Sequence, residues 1–254
     1  MAEKIKGAGK LYVVPTPVGN LGDMAPRAVE TLKTVNLILA EDTRTSAVVT
    51  RHFGITTPLA SHHKFNEHET VRPLVERLLG GEVMALISDA GTPAISDPGF
   101  MLVRECRQAG VEVETLPGPT AFVPALVNSG LPCERFCFEG FLPPKKGRAT
   151  RLAQLAADER TFIIYESPLR LVKTLRELAE VCGDDRDASV SREISKLHNT
   201  THNATLGELA DYFTQNNPKG EIVIVVSGNR SAREERKVHR NKYRPDTPEQ
   251  YSIK

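Results

Sequence analysis

Short apolar runs alternate with segments of helical spacing along most of the chain, and this alternation limits the fold more than any other feature. Apolar runs at 11–14, 37–40, 83–88 and 111–116 read as strands. Between them, 25–34, 43–52, 67–79 and 99–109 place apolar residues at helical intervals. Such repetition requires crossover connections, which make a largely parallel sheet. The second half repeats the theme, with strands at 136–139, 161–166, 188–192 and 221–226 and its clearest helices at 168–181 and 206–214. Leu116-Pro117-Gly118-Pro119 punctuates the middle. The 254 residues therefore read as two α/β domains, 11–116 and 117–229, joined by a short hinge. A flexible N-terminus, 1–10, precedes them and a basic tail, 230–254, follows. The default place for a ligand is a cleft between the domains.

Composition removes several function classes. The formal net charge is only +1, so any nucleic acid must be met by a local basic patch. No apolar run reaches membrane-spanning length, and residues 1–10 lack the apolar core of a secretory signal. Four cysteines are too few for a disulfide scaffold; Cys133 and Cys137 read as buried thiols. These features predict a soluble cytoplasmic protein with no membrane attachment. His62, His63 and His68 lie beside Glu67 and Glu69, but the spacing does not match H-E-x-x-H, so no metal is expected.

The informative residues follow strand ends, where open α/β sheets bind ligands. The first strand runs into Pro15-Thr16-Pro17-Val18-Gly19-Asn20-Leu21-Gly22-Asp23. This loop is neither G-x-G-x-x-G nor a P-loop, which argues against a nicotinamide enzyme and a nucleotide triphosphatase. The strand at 83–88 runs into a long loop of small and turn-forming residues, Asp89 to Gly99. Asp97-Pro98 reads there as N-cap and first residue of the next helix. The third loop is Pro117-Gly118-Pro119-Thr120-Ala121, leading into a helix of small and apolar residues.

At these loops the chain resembles the class III S-adenosylmethionine-dependent methyltransferases, the tetrapyrrole methylase superfamily, and within it the ribosomal RNA branch. The matching segments include the first loop, Ala40-Glu41-Asp42-Thr43-Arg44, residues 88–99, Leu116 to Ala121, Gly140-Phe141-Leu142-Pro143, Tyr165 to Arg170 and Arg192 to His198. The likeness covers about 11–227. It implies two α/β domains with S-adenosylmethionine in a cleft between them and a homodimer. It also implies 2′-O-methylation of a cytidine ribose in 16S ribosomal RNA of the small ribosomal subunit. Carried over by position, the cofactor contacts are Val18, Thr92, Ile95, Thr120, Ala121 and Leu142. Gly91-Thr92-Pro93 replaces the Gly-Asp-Pro of relatives acting on porphyrins or corrins, which favours the ribosomal branch. Asn199 to Ala204 departs from the expected acidic residue and glycine.

A ribose hydroxyl is a weak nucleophile and needs a base or a cation beside the developing alkoxide. The candidate catalytic residues are Asp42 or Asp89 as base, with Lys64 or Lys196 assisting; Asp42 reads equally as a helix N-cap and Asp89 as a turn residue. Glu166 and Arg170 are positioned to form an ion pair. Residues 143–151 carry Lys145, Lys146, Arg148 and Arg151 and no acid, and read as a mobile, extended RNA-binding loop that contacts phosphates. With no tryptophan, the plausible stacking residues are Phe65 and Phe141. Two alternatives stand beside this reading. One is a methyltransferase of the same fold acting on a tetrapyrrole or other small molecule. The other is a non-catalytic RNA-binding module of ribosome assembly.

Overall fold

The structure is a computed structural model and describes residues 7–229. The basic tail lies outside these residues. The chain divides into two compact α/β units: one takes the residues up to 125 together with 191–200, the other 126–190 together with those from 201. The sequence boundary at 116/117 and the boundary of these units at 125/126 differ by the length of one short helical stretch.

In the first unit, β1 (Lys10–Val13), β2 (Leu37–Ala40), β3 (Leu59–Ser61), β4 (Val83–Ile87) and β5 (Glu112–Thr115) form one sheet in the order β3-β2-β4-β1-β5. Its strand pairs are parallel. Both faces are covered, so the central strands are apolar throughout rather than alternating. Leu39, Met84 and Leu86 point to one face, with Leu74 and Leu78 of α3 (Glu67–Leu79) and Leu102 of α4 (Phe100–Gln108). Ile38, Ala85 and Ile87 point to the other, under Ala28 and Leu32 of α1 (Pro26–Thr34). Lys10 opens β1, and its ammonium lies 3.0 Å from Glu112 Oε1. Asp42 caps α2 (Thr43–His52), accepting the Arg44 amide at 2.8 Å.

The start of α4 corrects the sequence reading. Its cap is Gly99, at φ 127°, not Asp97. Asp97 and Pro98 stay in the loop because the Gly99 backbone packs directly on Leu86: an added Cβ there would fall 2.4 Å from Leu86 Cδ2.

The second sheet has the order β6-β7-β10-β8-β9, from β6 (Phe136–Phe141), β7 (Thr161–Glu166), β8 (Asp187–Arg192), β9 (Thr200–Thr205) and β10 (Ile222–Val226). It is mixed rather than largely parallel: β6 runs parallel to β7, and β10 antiparallel to it. Phe162, Ile164, Val190, Ile222 and Ile224 form a core with Leu152 and Leu155 of α6 (Arg148–Ala157), Leu175 and Leu178 of α7 (Leu171–Cys182), and Leu209 and Phe213 of α8 (Leu206–Gln215). A capping box between Thr205 and Glu208 fixes the start of α8. The helix α5 (Phe122–Ser129) spans the boundary of the two units. Cys133 is exposed and Cys137 half-buried, contrary to the expectation of buried thiols; Cys106 is buried, and burial pushes its thiol up to about 12.

Candidate functional site

In the first unit the chain leaves β1 for β2 and β3 on one side, returns to β4 against β1, and then reaches β5 on the far side. The connections thus diverge around β1, and the carboxyl ends of β4, β1 and β5 lie side by side. That is the switch point at which such sheets bind ligands. The loops 15–23, 88–99 and 117–121 all start there.

These loops are stitched together. Thr16 and Gly91 exchange both backbone hydrogen bonds, each at 2.9 Å. The buried Thr16 hydroxyl donates to the Ser88 carbonyl at 3.0 Å, and the Thr92 hydroxyl to the Pro119 carbonyl at 3.1 Å. Gly91 sits at φ 81°, and a Cβ there would lie 3.4 Å from Val18 Cγ1 and 3.7 Å from the Pro119 oxygen. The space would accept a Cβ in ordinary contact, so it is the left-handed backbone angle that favours glycine here. Val18, Thr92 and the 117–121 loop therefore meet at one place, with Thr120 and Ala121 half-buried and Ile95 exposed.

Carboxylates ring the same strand ends. Glu41 follows β2, Asp89 follows β4, and Asp97 closes the long loop. Burial pushes Asp97 up to about 7, helped by the charges of Glu41 and Asp89. Glu41 is raised first by burial and then by Asp89, and Asp89 by burial and, against a hydrogen bond from the Asp42 amide, by the Asp42 charge. Asp42 behaves differently. Its carboxylate takes the Arg44 guanidinium at 3.1 and 2.7 Å, which holds its pKa down at about 2. Of the two readings of Asp42, base or helix cap, the geometry favours the cap: its carboxylate closes the start of α2 and pairs with the exposed Arg44. Among the described residues, no group of three or more His, Cys, Asp and Glu side chains is arranged to hold a metal ion.

Lys196 reaches the first loop from the segment 191–200. A Cβ on Gly19, at φ 149°, would fall 2.3 Å from Lys196 Cγ, so the lysine stem lies directly across the glycine. Its ammonium pairs with Glu193 at 2.9 Å, and the Ser195 hydroxyl donates to the Asp23 carboxylate. Glu193 and Ser195 hold left-handed backbone angles, φ 54° and 66°, a strain that persists only where surrounding contacts enforce it. Lys64 stands exposed on the turn before α3, beside Phe65, which is 90% exposed.

In the second unit, Glu166 is buried and accepts from Arg170 Nε at 2.8 Å, Thr174 Oγ1 at 2.7 Å and its neighbour's amide at 2.7 Å. The expected ion pair is thus present. The basic segment is not an extended loop, because α6 begins at Arg148. Arg148 is buried and donates to Glu177 at 2.7 Å, Thr174 at 2.8 Å and the Pro143 carbonyl at 3.2 Å. Arg151 grips Glu139 with two bonds, at 2.7 and 2.8 Å. Arg148 is therefore a structural cation, which corrects its placement among phosphate contacts, while Lys145 and Lys146 are exposed. Leu142 lies in this unit's core at 3% exposure, which leaves little side-chain surface for a ligand.

Sequence reasoning missed Asp97 as a half-buried acid with a raised pKa and Glu67, whose carboxylate accepts the Gly99 amide at 3.0 Å. An acid inside a loop of small residues was the only available signal for the first; the second is visible only in three dimensions.

The donor set at the loops is carboxylates and main-chain groups. It suits a ligand carrying positive charge and hydroxyls, as S-adenosylmethionine does through its sulfonium, ammonium and ribose. Among the described residues, no helix is long and apolar enough to cross a membrane.

Comparison with known proteins agrees with this geometry. The model of the Tetrapyrrole (Corrin/Porphyrin) Methylases matches residues 10–210. A Ribosomal RNA small subunit methyltransferase I from Synechocystis is 51% identical over 87% of this chain and 79% of its own. One from Escherichia coli O157:H7 is 46% identical over 89% and 80%. Among solved structures, uroporphyrin-III C-methyl transferase from Thermus thermophilus, complexed with S-adenyl homocysteine, superposes with a TM-score of 0.62 at 20% identity, over 86% of this chain and 97% of that one. Diphthine synthase does so with a TM-score of 0.67 at 12% identity, over 86% and 90%; both likenesses speak for the fold. With its strand-end loops inside the matched span, the chain belongs to the tetrapyrrole methylase family and, within it, to the ribosomal RNA small subunit methyltransferase I family.

Proposed function

We propose that this protein is an S-adenosylmethionine-dependent methyltransferase that methylates the ribose 2′-oxygen of a cytidine in small-subunit ribosomal RNA. The observation that carries the reading is the 51% identity to a ribosomal RNA small subunit methyltransferase I over 87% of this chain. Bound S-adenosylmethionine supplies a methyl group activated on a sulfonium sulfur. Val18, Thr92, Thr120 and Ala121, with exposed Ile95, hold and orient it, and Glu41, Asp89 and Asp97 favour its positive charge.

The protein's remaining tasks are positioning and proton handling. As the 2′-oxygen gains the methyl group it releases its proton. Asp89 is the base we assign, because it is exposed, lies at a strand end, and its pKa is raised toward the useful range. Lys196 is the cation we assign to the developing alkoxide, since its stem crosses the first cofactor loop at Gly19. Lys145 and Lys146 contact RNA phosphates, which position the substrate without specifying a base. Phe65 offers an exposed stacking face. The reading includes a homodimer, the assembled small subunit as partner, and a cytoplasmic location.

The test is methyl transfer from labelled S-adenosylmethionine to small ribosomal subunits lacking the modification, followed by nucleoside mass spectrometry. A 2′-O-methylcytidine product is expected. Tight cofactor binding with no transfer to subunits or RNA refutes the substrate and points to a small-molecule acceptor.

A further inference from the structure

We propose that Glu67 is a positioning residue for the cofactor loop, fixing the far end of residues 89–99 so that Thr92, Ile95 and Asp97 are held in their binding arrangement. The proposal rests on the reading of that loop as the S-adenosylmethionine site.

The loop is strained along its middle. Ala94 and Ser96 hold left-handed backbone angles, φ 66° and 68°, which residues with a side chain keep only when their surroundings over-determine them. Both ends must therefore be pinned. The near end is tied to β1 through the paired Thr16 and Gly91 bonds and through Ser88, whose hydroxyl donates toward the Ala90 and Gly91 carbonyls at 3.3 Å. The far end lacks any equivalent from its own segment, because Gly99 starts α4 with no side-chain cap.

Glu67 fills that place. One carboxylate oxygen, Oε1, accepts the Gly99 amide at 3.0 Å and the Met101 amide at 3.3 Å. Two first-turn amides of α4, otherwise unpaired, are thus satisfied by a side chain 32 and 34 positions away in sequence. The negative charge is also favourable at the start of a helix. Glu67 is itself held, as the first residue of α3 and only 12% exposed, with the buried His62 Nε2 3.9 Å from the same oxygen. His62 is fixed in turn, its Nδ1 2.9 Å from the Thr70 hydroxyl. The contact between Gly99 and Leu86 blocks the loop end from moving inward, and Glu67 restrains it from lifting away. Freed from Glu67, the segment 92–98 relaxes its left-handed residues and loses the arrangement that receives the cofactor.

The experiment is isothermal titration of S-adenosylmethionine and of a decoding-region RNA fragment into the full-length protein, its Glu67→Ala variant and its Glu67→Gln variant. Glu67→Ala is expected to weaken cofactor binding by about tenfold, the factor equivalent to 1.4 kcal/mol, while its RNA affinity stays within about twofold of wild type. Glu67→Gln keeps the accepting oxygen and is expected to restore most of the cofactor affinity. If Glu67→Ala does not stay folded, Glu67→Asp, one methylene too short, carries the same expectation. Wild-type cofactor affinity in the alanine variant overturns the proposal, and so does a parallel loss of cofactor and RNA binding, which marks a purely structural role. Wild-type protein that binds no S-adenosylmethionine overturns the cofactor reading and this proposal with it.

Discussion

Replacing Asp97 by asparagine is expected to stabilise the protein, and by more at pH 8 than at pH 5. Burial and the charges of Glu41 and Asp89 lift the Asp97 carboxyl from 3.8 to about 7. Below pH 3.8 the group is neutral in both folded and unfolded chains, and its environment costs nothing. Between the two values the unfolded chain gives up the proton that the folded one keeps, so folding stability falls as pH rises through this window. Above pH 7 the deficit is constant. A shift of about three units corresponds to an upper bound of about 4 kcal/mol at 1.36 kcal/mol per unit. About 1.7 kcal/mol of that is already present at pH 5, which leaves a difference of about 2.6 kcal/mol between pH 5 and pH 8. Asp97 is only partly buried, so solvent screening reduces this to about 1 kcal/mol. For a chain of this size that is an extra gain of about 2–4 °C in Tm at pH 8. Thermal denaturation of wild type and Asp97→Asn at both pH values measures it. The same carboxylate, once ionised, attracts a cationic ligand, so wild-type affinity for S-adenosylmethionine should rise from pH 6 to pH 8 and the variant should lose most of that rise. An equal Tm change at both pH values refutes the argument, because it shows that the Asp97 proton is not what separates them.

Other perturbations follow from the same geometry. Asp89→Asn should lower single-turnover methyl transfer by about 10²–10⁴-fold, the usual worth of a general base, whereas Asp42→Ala should lower Tm as a lost helix cap and leave turnover intact; the reverse pattern would reassign the base. Gly19→Ala forces a methyl into the Lys196 stem and should destabilise the protein by about 1–3 kcal/mol in urea denaturation, a loss that a well-behaved alanine there would disprove. Lys145 and Lys146 changed together to alanine should reduce the salt slope of RNA binding by about two. Arg148→Ala should instead destabilise the fold by about 2–3 kcal/mol, because it removes a buried cation bonded to Glu177, Thr174 and the Pro143 carbonyl. A reduced salt slope with unchanged stability in the Arg148 variant would return that residue to the RNA surface.

The parts of the fold that were legible share a physical cause. β2 and β4 are buried on both faces of a parallel sheet, so their sequences are nearly unbroken apolar runs that no helix pattern imitates. The missed strands are those that bury little. β3 has three residues, none of them buried. β9, Thr200–Thr205, is polar but for Ala204 and lies at a sheet edge, where a strand needs only one partner and little apolar surface. α6 was hidden by its own cations: Arg148 and Arg151 made 143–151 look like a solvated loop, yet both arginines find carboxylates within the fold, and Leu152 and Leu155 supply the buried face. In the site, the loops showed as runs of glycine and proline after strands. The cap role of Asp42 showed too, as an acid between an apolar strand and a helix; the roles of Asp97 and Glu67 did not, because each depends on a neighbour 8 to 56 positions away that spacing alone cannot nominate.

The first unit is discontinuous in sequence: its sheet and its three loops are complete by residue 125, but the segment that carries Lys196 across Gly19 is 191–200. Synthesis runs from one end only. At 5–20 residues per second, roughly 4–15 s separate translation of residue 125 from residue 200. During that interval the nascent chain holds the loops assigned to the cofactor without the strap that crosses the first of them, and it lacks the cation assigned to the reacting oxygen. A member of a ribosomal RNA methyltransferase family thus stays chemically incomplete on the ribosome that makes it until a lysine arrives, after residues 126–190 of the second unit have been synthesised.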